Sequence, residues 1–126
     1  MSTQLVTITL QVIVALGLLN VWLIRSHQFT QYRGSDAKNI REEFAAYGLP
    51  TWCLYAVGSL KIGAAILLLV GIWASGLVFP AAAVVAFLMV GAIAMHIKVK
   101  DPLKKAAPAM AMLAMSVGLS VMTFGL

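Results

Sequence analysis

Charge is what this chain most lacks. Nine basic and four acidic side chains make up 10% of its 126 residues, against about 25% in a soluble domain. So few charges could not cover a soluble surface of this size, and lipid is the expected solvent. Cysteine is nearly absent too. Cys53 stands alone, which excludes an internal disulfide and a Cys-x-x-Cys redox pair, and a lone buried cysteine ordinarily packs as a small hydrophobe. No P-loop, GxGxxG, HExxH or GxSxG occurs, which argues against a self-contained nucleotide or hydrolase site. Met-Ser-Thr-Gln at the N-terminus has no positive segment, and a cleaved signal peptide is not expected.

What is present is apolar. Hydrophobic residues form 62% of the sequence and the mean hydropathy is +0.97. The net charge of +5 does not point to nucleic acid, because the basic residues flank apolar runs instead of forming a stripe. Seven charges fall between Arg25 and Glu43 and five between Lys98 and Lys105, and the remaining one is Lys61, inside an apolar run.

A membrane span needs about 20 mostly apolar residues. Four are expected, at residues 5–24, 51–73, 77–97 and 106–126, in one membrane domain covering 1–126. Between the first two, residues 35–47 read as a short amphipathic helix. Ala37, Ile40, Phe44 and Tyr47 share its apolar face, Ser35 or Asp36 caps its start, and Gly48 with Pro50 ends it. Such a helix belongs in the membrane interface. Starting the second span at Ile62 would squeeze two spans and a turn into residues 62–97, near the minimum of about 17 residues each. It would also leave Thr51–Leu60 unexplained. The expected fold is therefore an all-α membrane protein, a four-helix bundle with one interfacial helix. Both charged loops, 25–50 and 98–105, are rich in Lys and Arg, so the positive-inside rule puts them in the cytoplasm and both termini outside a plasma (inner) membrane. Trp22 and Trp52 then mark the inner interface and Trp73 the outer.

Lys61 is the first candidate for chemistry. Ten residues past Thr51 it lies about 15 Å along its helix, too deep for its stem to snorkel fully out of a core about 30 Å thick. A charge there costs roughly 2.5–3.5 kcal/mol, so the amine either gives up its charge or meets an opposing group. No span carries Asp or Glu. The partner must be a polar group such as Asn20, Glu42 or Glu43 dipping inward, another subunit, or a bound ligand. The bland alternative is a structural donor between helices. His96, at the end of the third span, reads as a relay or ligand contact, or as an interfacial histidine satisfied by a carbonyl and water. With Asn20 and Tyr55 these residues form a candidate ligand-binding cluster around Lys61. No metal site is expected, since His27 is a loop residue and no second histidine shares a face with His96. Six of seven methionines lie in the C-terminal half; copper(I) favours thioethers, but methionine is also ordinary core filler. Ser59 and Gly63, four apart, offer a surface where helices approach closely.

Two runs, Phe44-Ala-Ala-Tyr-Gly-Leu-Pro-Thr-Trp52 and Tyr55-Ala-Val-Gly-Ser-Leu-Lys61-Ile-Gly, are followed by Gly91-Ala-Ile-Ala-Met-His96, Asp101-Pro102 and Ala107-Pro108. In this order and spacing the chain resembles the DoxX-like family of small four-span membrane proteins, over roughly residues 40–120. The resemblance implies a four-helix membrane bundle. Many relatives carry an acid where Lys61 stands, and the DoxX-like subgroup accepts Lys there and a histidine at His96. Named relatives include a subunit of a thiosulfate:quinone oxidoreductase, other oxidoreductase-associated membrane proteins and eukaryotic receptor assembly factors. Three functions follow as expectations. The first is an accessory or anchor subunit of a quinone-linked redox system, with quinone as the candidate cofactor. The second is a non-enzymatic assembly protein bound to a membrane partner or to its own copy, and the third a small lipid or metabolite transporter. None makes the chain a stand-alone enzyme.

Overall fold

The computed structural model describes residues 3–20, 22, 37 and 39–124. Within them every regular element is helical: α1 (Thr3–Leu19), α2 (Ile40–Ala46), α3 (Thr51–Val70), a 3-10 turn (Ser75–Leu77), α4 (Val78–Lys98) and α5 (Leu103–Thr123). Three segments, Thr51–Val70, Ser75–Lys98 and Leu103–Thr123, are long and apolar enough to cross a membrane, and α1 is a shorter apolar helix of 17 residues. Asn20 and Trp22 extend α1 in a wider π turn.

Helices α1, α3, α4 and α5 close into a ring. α1 packs on α3 and α5, α3 on α4, and α4 most extensively on α5. Their shared core joins Val14 and Leu18 of α1, Leu68 of α3, Val85 and Met89 of α4 and Leu119 of α5. Alanines at Ala15, Ala64, Ala65, Ala81 and Ala82 are buried between them, and such small residues let helices approach closely in lipid, where dispersion replaces the hydrophobic effect. Met112 and Met115 pack against this core, as flexible filler does.

The second span begins at Thr51, as expected; several other boundaries differ for physical reasons. The third predicted span begins in the 3-10 turn and ends one residue late, at Lys98. The fourth starts at Leu103, not 106, because a helix does not stop where hydropathy does; Lys104 and Lys105 are good helix formers. Pro108 therefore lies inside α5, in its second turn. The second span closes early, at Val70, because Gly71–Trp73 form a tightened turn in which Ile72 N–H bonds Leu69 and not Leu68. That leaves the Leu68 carbonyl free, and Gln11 Nε2 of α1 donates to it at 2.8 Å. Gln11, a polar interruption in the sequence, is 2% exposed and satisfies a helix end that hydrocarbon could not.

Of the residues 35–47 expected to be helical, α2 covers Ile40–Ala46, and 35, 36 and 38 lie outside the described residues. It begins at Ile40 with Asn39 as its cap, the side chain accepting from Glu42 N–H at 2.9 Å. This is an Asn-x-x-Glu capping arrangement; Ser35 and Asp36, the expected caps, lie outside the described residues. Its end matches expectation. Gly48 takes φ 77, and the Gly48 and Leu49 N–H groups bond back to Ala45 and Phe44, a Schellman ending.

Candidate functional site

The α2 helix buries Ile40 and Phe44 against Leu54 of α3, with Trp22, Leu49, Cys53 and Val57 around them. Two acids, Glu42 and Glu43, sit in its first turn, where the helix dipole favours negative charge. Its C-cap carbonyl is tied to the end of α4, because Lys98 Nζ donates to Tyr47 O at 2.7 Å. Thus α2 straps across one end of the bundle, anchored on α3 by packing and on α4 by that bond.

Under this strap a row of rings joins the sequence candidates. The Lys61 ammonium lies 5.3 Å from the Trp22 ring centroid, within cation–π range. Trp22 meets Phe44 edge-on at 6.0 Å, Phe44 meets Tyr47 at 6.2 Å, and Tyr47 meets His96 edge-on at 6.1 Å. Lys61 and His96 therefore stand at opposite ends of a three-ring row. Glu43 of α2 acts on Lys61 through its field, and among the described residues the two form no ion pair. Trp22, which the sequence suggested as an interface marker, turns onto α3 instead. A Cβ on Gly58 would lie 2.7 Å from its ring, so only glycine admits it. Trp52 and Trp73 are 70% and 84% exposed.

His96 is buried, and its Nδ1 lies 2.8 Å from Asp101 Oδ2. The α4 end brings the two together. Lys100 adopts φ 59, and the Asp101 and Lys100 N–H groups bond back to His96 O and Ile97 O. This is a second Schellman ending, here with a lysine where glycine is usual. The turn folds the Asp101 carboxylate onto the imidazole, while Lys105 approaches its other oxygen at 3.9 Å. The carboxylate fixes which ring nitrogen is engaged. Asp101 was not a site candidate in the sequence. Its signal would have been an acid five residues after a histidine, across a helix end.

Tyr55 is 61% exposed and pairs with Arg41 of α2. Arg41 Nη2 donates to Tyr55 Oη at 3.2 Å, with the guanidinium 6.0 Å from the ring centroid. Between them opens a cleft of about 240 Å³ lined by Trp22, Ile40, Arg41, Leu54, Tyr55, Gly58, Ser59 and Ile62. Asn20 is half-buried, in the same turn as Trp22. Of the four candidates, only Tyr55 lines this cleft. Lys61 lies over the Trp22 ring without lining the cleft, and His96 lies at the far end of the row. Among the described residues no group of three His, Cys, Asp or Glu could hold a metal.

The family model described as the DoxX-like family matches residues 9–119. The chain belongs to the DoxX-like family. No curated protein and no solved structure matches it. The match reaches beyond the motifs of residues 40–120 to take in most of α1, so Gln11, Asn20 and Trp22 lie inside the family's span. As a DoxX-like protein it is a membrane protein.

Proposed function

We propose that this DoxX-like protein is a four-span module of the plasma (inner) membrane that holds a small amphipathic molecule in the cleft beneath α2, as the accessory or anchor subunit of a larger system. The observation that carries this reading is the cleft itself. An apolar floor of Trp22, Leu54 and Ile62 meets a polar rim of Arg41 and Tyr55 at the edge of the bundle, the arrangement of a ligand site with few oriented polar groups. A quinone-linked redox system is one such setting, since Arg41 and Tyr55 are donors that a quinone carbonyl could accept from. Nothing in this reading asks the chain to be a catalyst by itself.

In the proposed topology α1 is the first crossing, its 17 residues extended by the π turn to meet the roughly 17-residue minimum. The strap and the 98–105 loop then face the cytoplasm and both termini face outside. The test is extraction of the protein purified in mild detergent, followed by mass spectrometry. A retained amphiphile is expected in the wild type and not in Ser59→Phe, which fills the cleft; a quinone would assign the redox setting. Identical extracts from both would contradict the cleft.

A second reading, association with a partner or a second copy, is favoured by the groove of about 230 Å³ between α3 and α4, lined by Ser59, Gly63, Pro80 and Val84. Nothing lies within 4 Å of a Cβ built on Gly63. Cross-linking of wild type but not Gly63→Leu would support it; equal cross-linking would remove it.

A further inference from the structure

We infer that the occupant of the cleft beneath α2 is a long-chain carboxylate, its head on Arg41 and Tyr55 and its chain along Trp22, Gly58 and Ile62. This rests on the cleft reading above and adds the charge and class of the ligand.

The rim supplies donors. Arg41 spends one N–H on the Tyr55 oxygen, and a guanidinium has five. Because Tyr55 Oη accepts that bond, its own proton remains to be donated. Two groups with hydrogens to give favour a head that only accepts, and a guanidinium fork matches a carboxylate with two parallel bonds.

The charge around the rim agrees. Among the described residues no carboxylate lines the cleft. Of the acids that follow Arg41 on α2, Glu42 meets the Asn39 amide at 3.3 Å, and among the described residues neither forms an ion pair with Arg41, nor does any other acid. A cation at the mouth of an apolar cleft thus awaits an anion with an apolar tail.

Size selects one chain. The cleft of about 240 Å³ is smaller than the roughly 300–1,000 Å³ pocket of a drug-sized ligand, which suits a stretch of one acyl chain. Trp22 forms one wall, with Gly58 giving its ring the room to lie there.

The test uses full-length protein with Trp52→Phe and Trp73→Phe, leaving Trp22 as the one indole, in uncharged detergent. It is titrated with a brominated long-chain carboxylate and with the brominated alcohol of equal length, which differ only in the charged head. The same protein carrying Ser59→Phe gives the baseline for partition into the micelle. The carboxylate is expected to quench Trp22 with an affinity roughly tenfold above the alcohol. Arg41→Gln is expected to erase that preference and Lys104→Gln to keep it. Equal affinity for acid and alcohol, or a preference that survives Arg41→Gln, overturns the inference and leaves the cleft reading standing. No quenching above baseline by either sinks the cleft reading as well. An unbrominated phosphatidylglycerol that restores Trp22 fluorescence at a lower concentration than the unbrominated carboxylate does overturns the assignment to a single-chain acid.

Discussion

At the scale of the residue, Lys61 shows how a lone cation is kept in an apolar bundle. Its charge meets the face of Trp22 and the field of Glu43, offsetting part of a burial cost of roughly 2.5–3.5 kcal/mol. The lysine and its depth were legible in the sequence, and Glu43 stood among the candidate partners. The Trp22 contact was not legible, because it depends on Gly58 leaving space at a helix crossing. A double-mutant cycle of Lys61→Met and Glu43→Gln, read by thermal unfolding in detergent, should give a coupling of about 0.5 kcal/mol or more; additive effects would mean the two charges are independent. Gln11 is the uncharged counterpart. Gln11→Leu strands the Leu68 carbonyl, and a loss of about 1–2 kcal/mol is expected, measured as a lower unfolding midpoint. A stability equal to wild type would show that the bond contributes nothing net.

At the scale of the element, α2 depends on its two ends more than on its seven residues. Isolated helices this short do not persist in water. The Asn39 cap, the Gly48 ending and the Lys98 bond to Tyr47 O hold it in place. The apolar face and the Gly48 stop could be read from spacing, but the start could not, since Ser35, Asp36 and Asn39 are all good caps. Only burial of Ile40 against Leu54 selects among them. Gly48→Ala forces a side chain into left-handed backbone, at a cost of about 1–2 kcal/mol. Because the strap roofs the cleft, faster proteolysis within residues 39–50 is expected alongside; unchanged cleavage would place the strap's stability elsewhere. The site was less legible than the elements. Arg41 and Tyr55 are fourteen residues apart with no motif between them, and His96 finds Asp101 only because Lys100 takes a positive φ. Chain spacing alone would not reveal either pair.

At the scale of the whole molecule, charge at the ends and small residues in the middle give one closed bundle. Its cytoplasmic face in the proposed topology carries the strap, the ring row and the His96–Asp101 turn. With Cys53→Ser as background, a cysteine at Ser75 should react with a membrane-impermeant maleimide from outside intact cells, and one at Lys104 only after permeabilisation. The reverse pattern would invert the topology. The central claim is that the cleft beneath α2, and not the general lipid-facing surface, holds an amphiphile. The most direct measurement is photo-crosslinking of membranes with an amphiphile bearing a diazirine in its chain, followed by peptide mapping. Adducts concentrated on Trp22 and residues 54–62 are expected. Adducts spread evenly over exposed, lipid-facing positions such as Phe87, Val90 and Val121 would contradict the account.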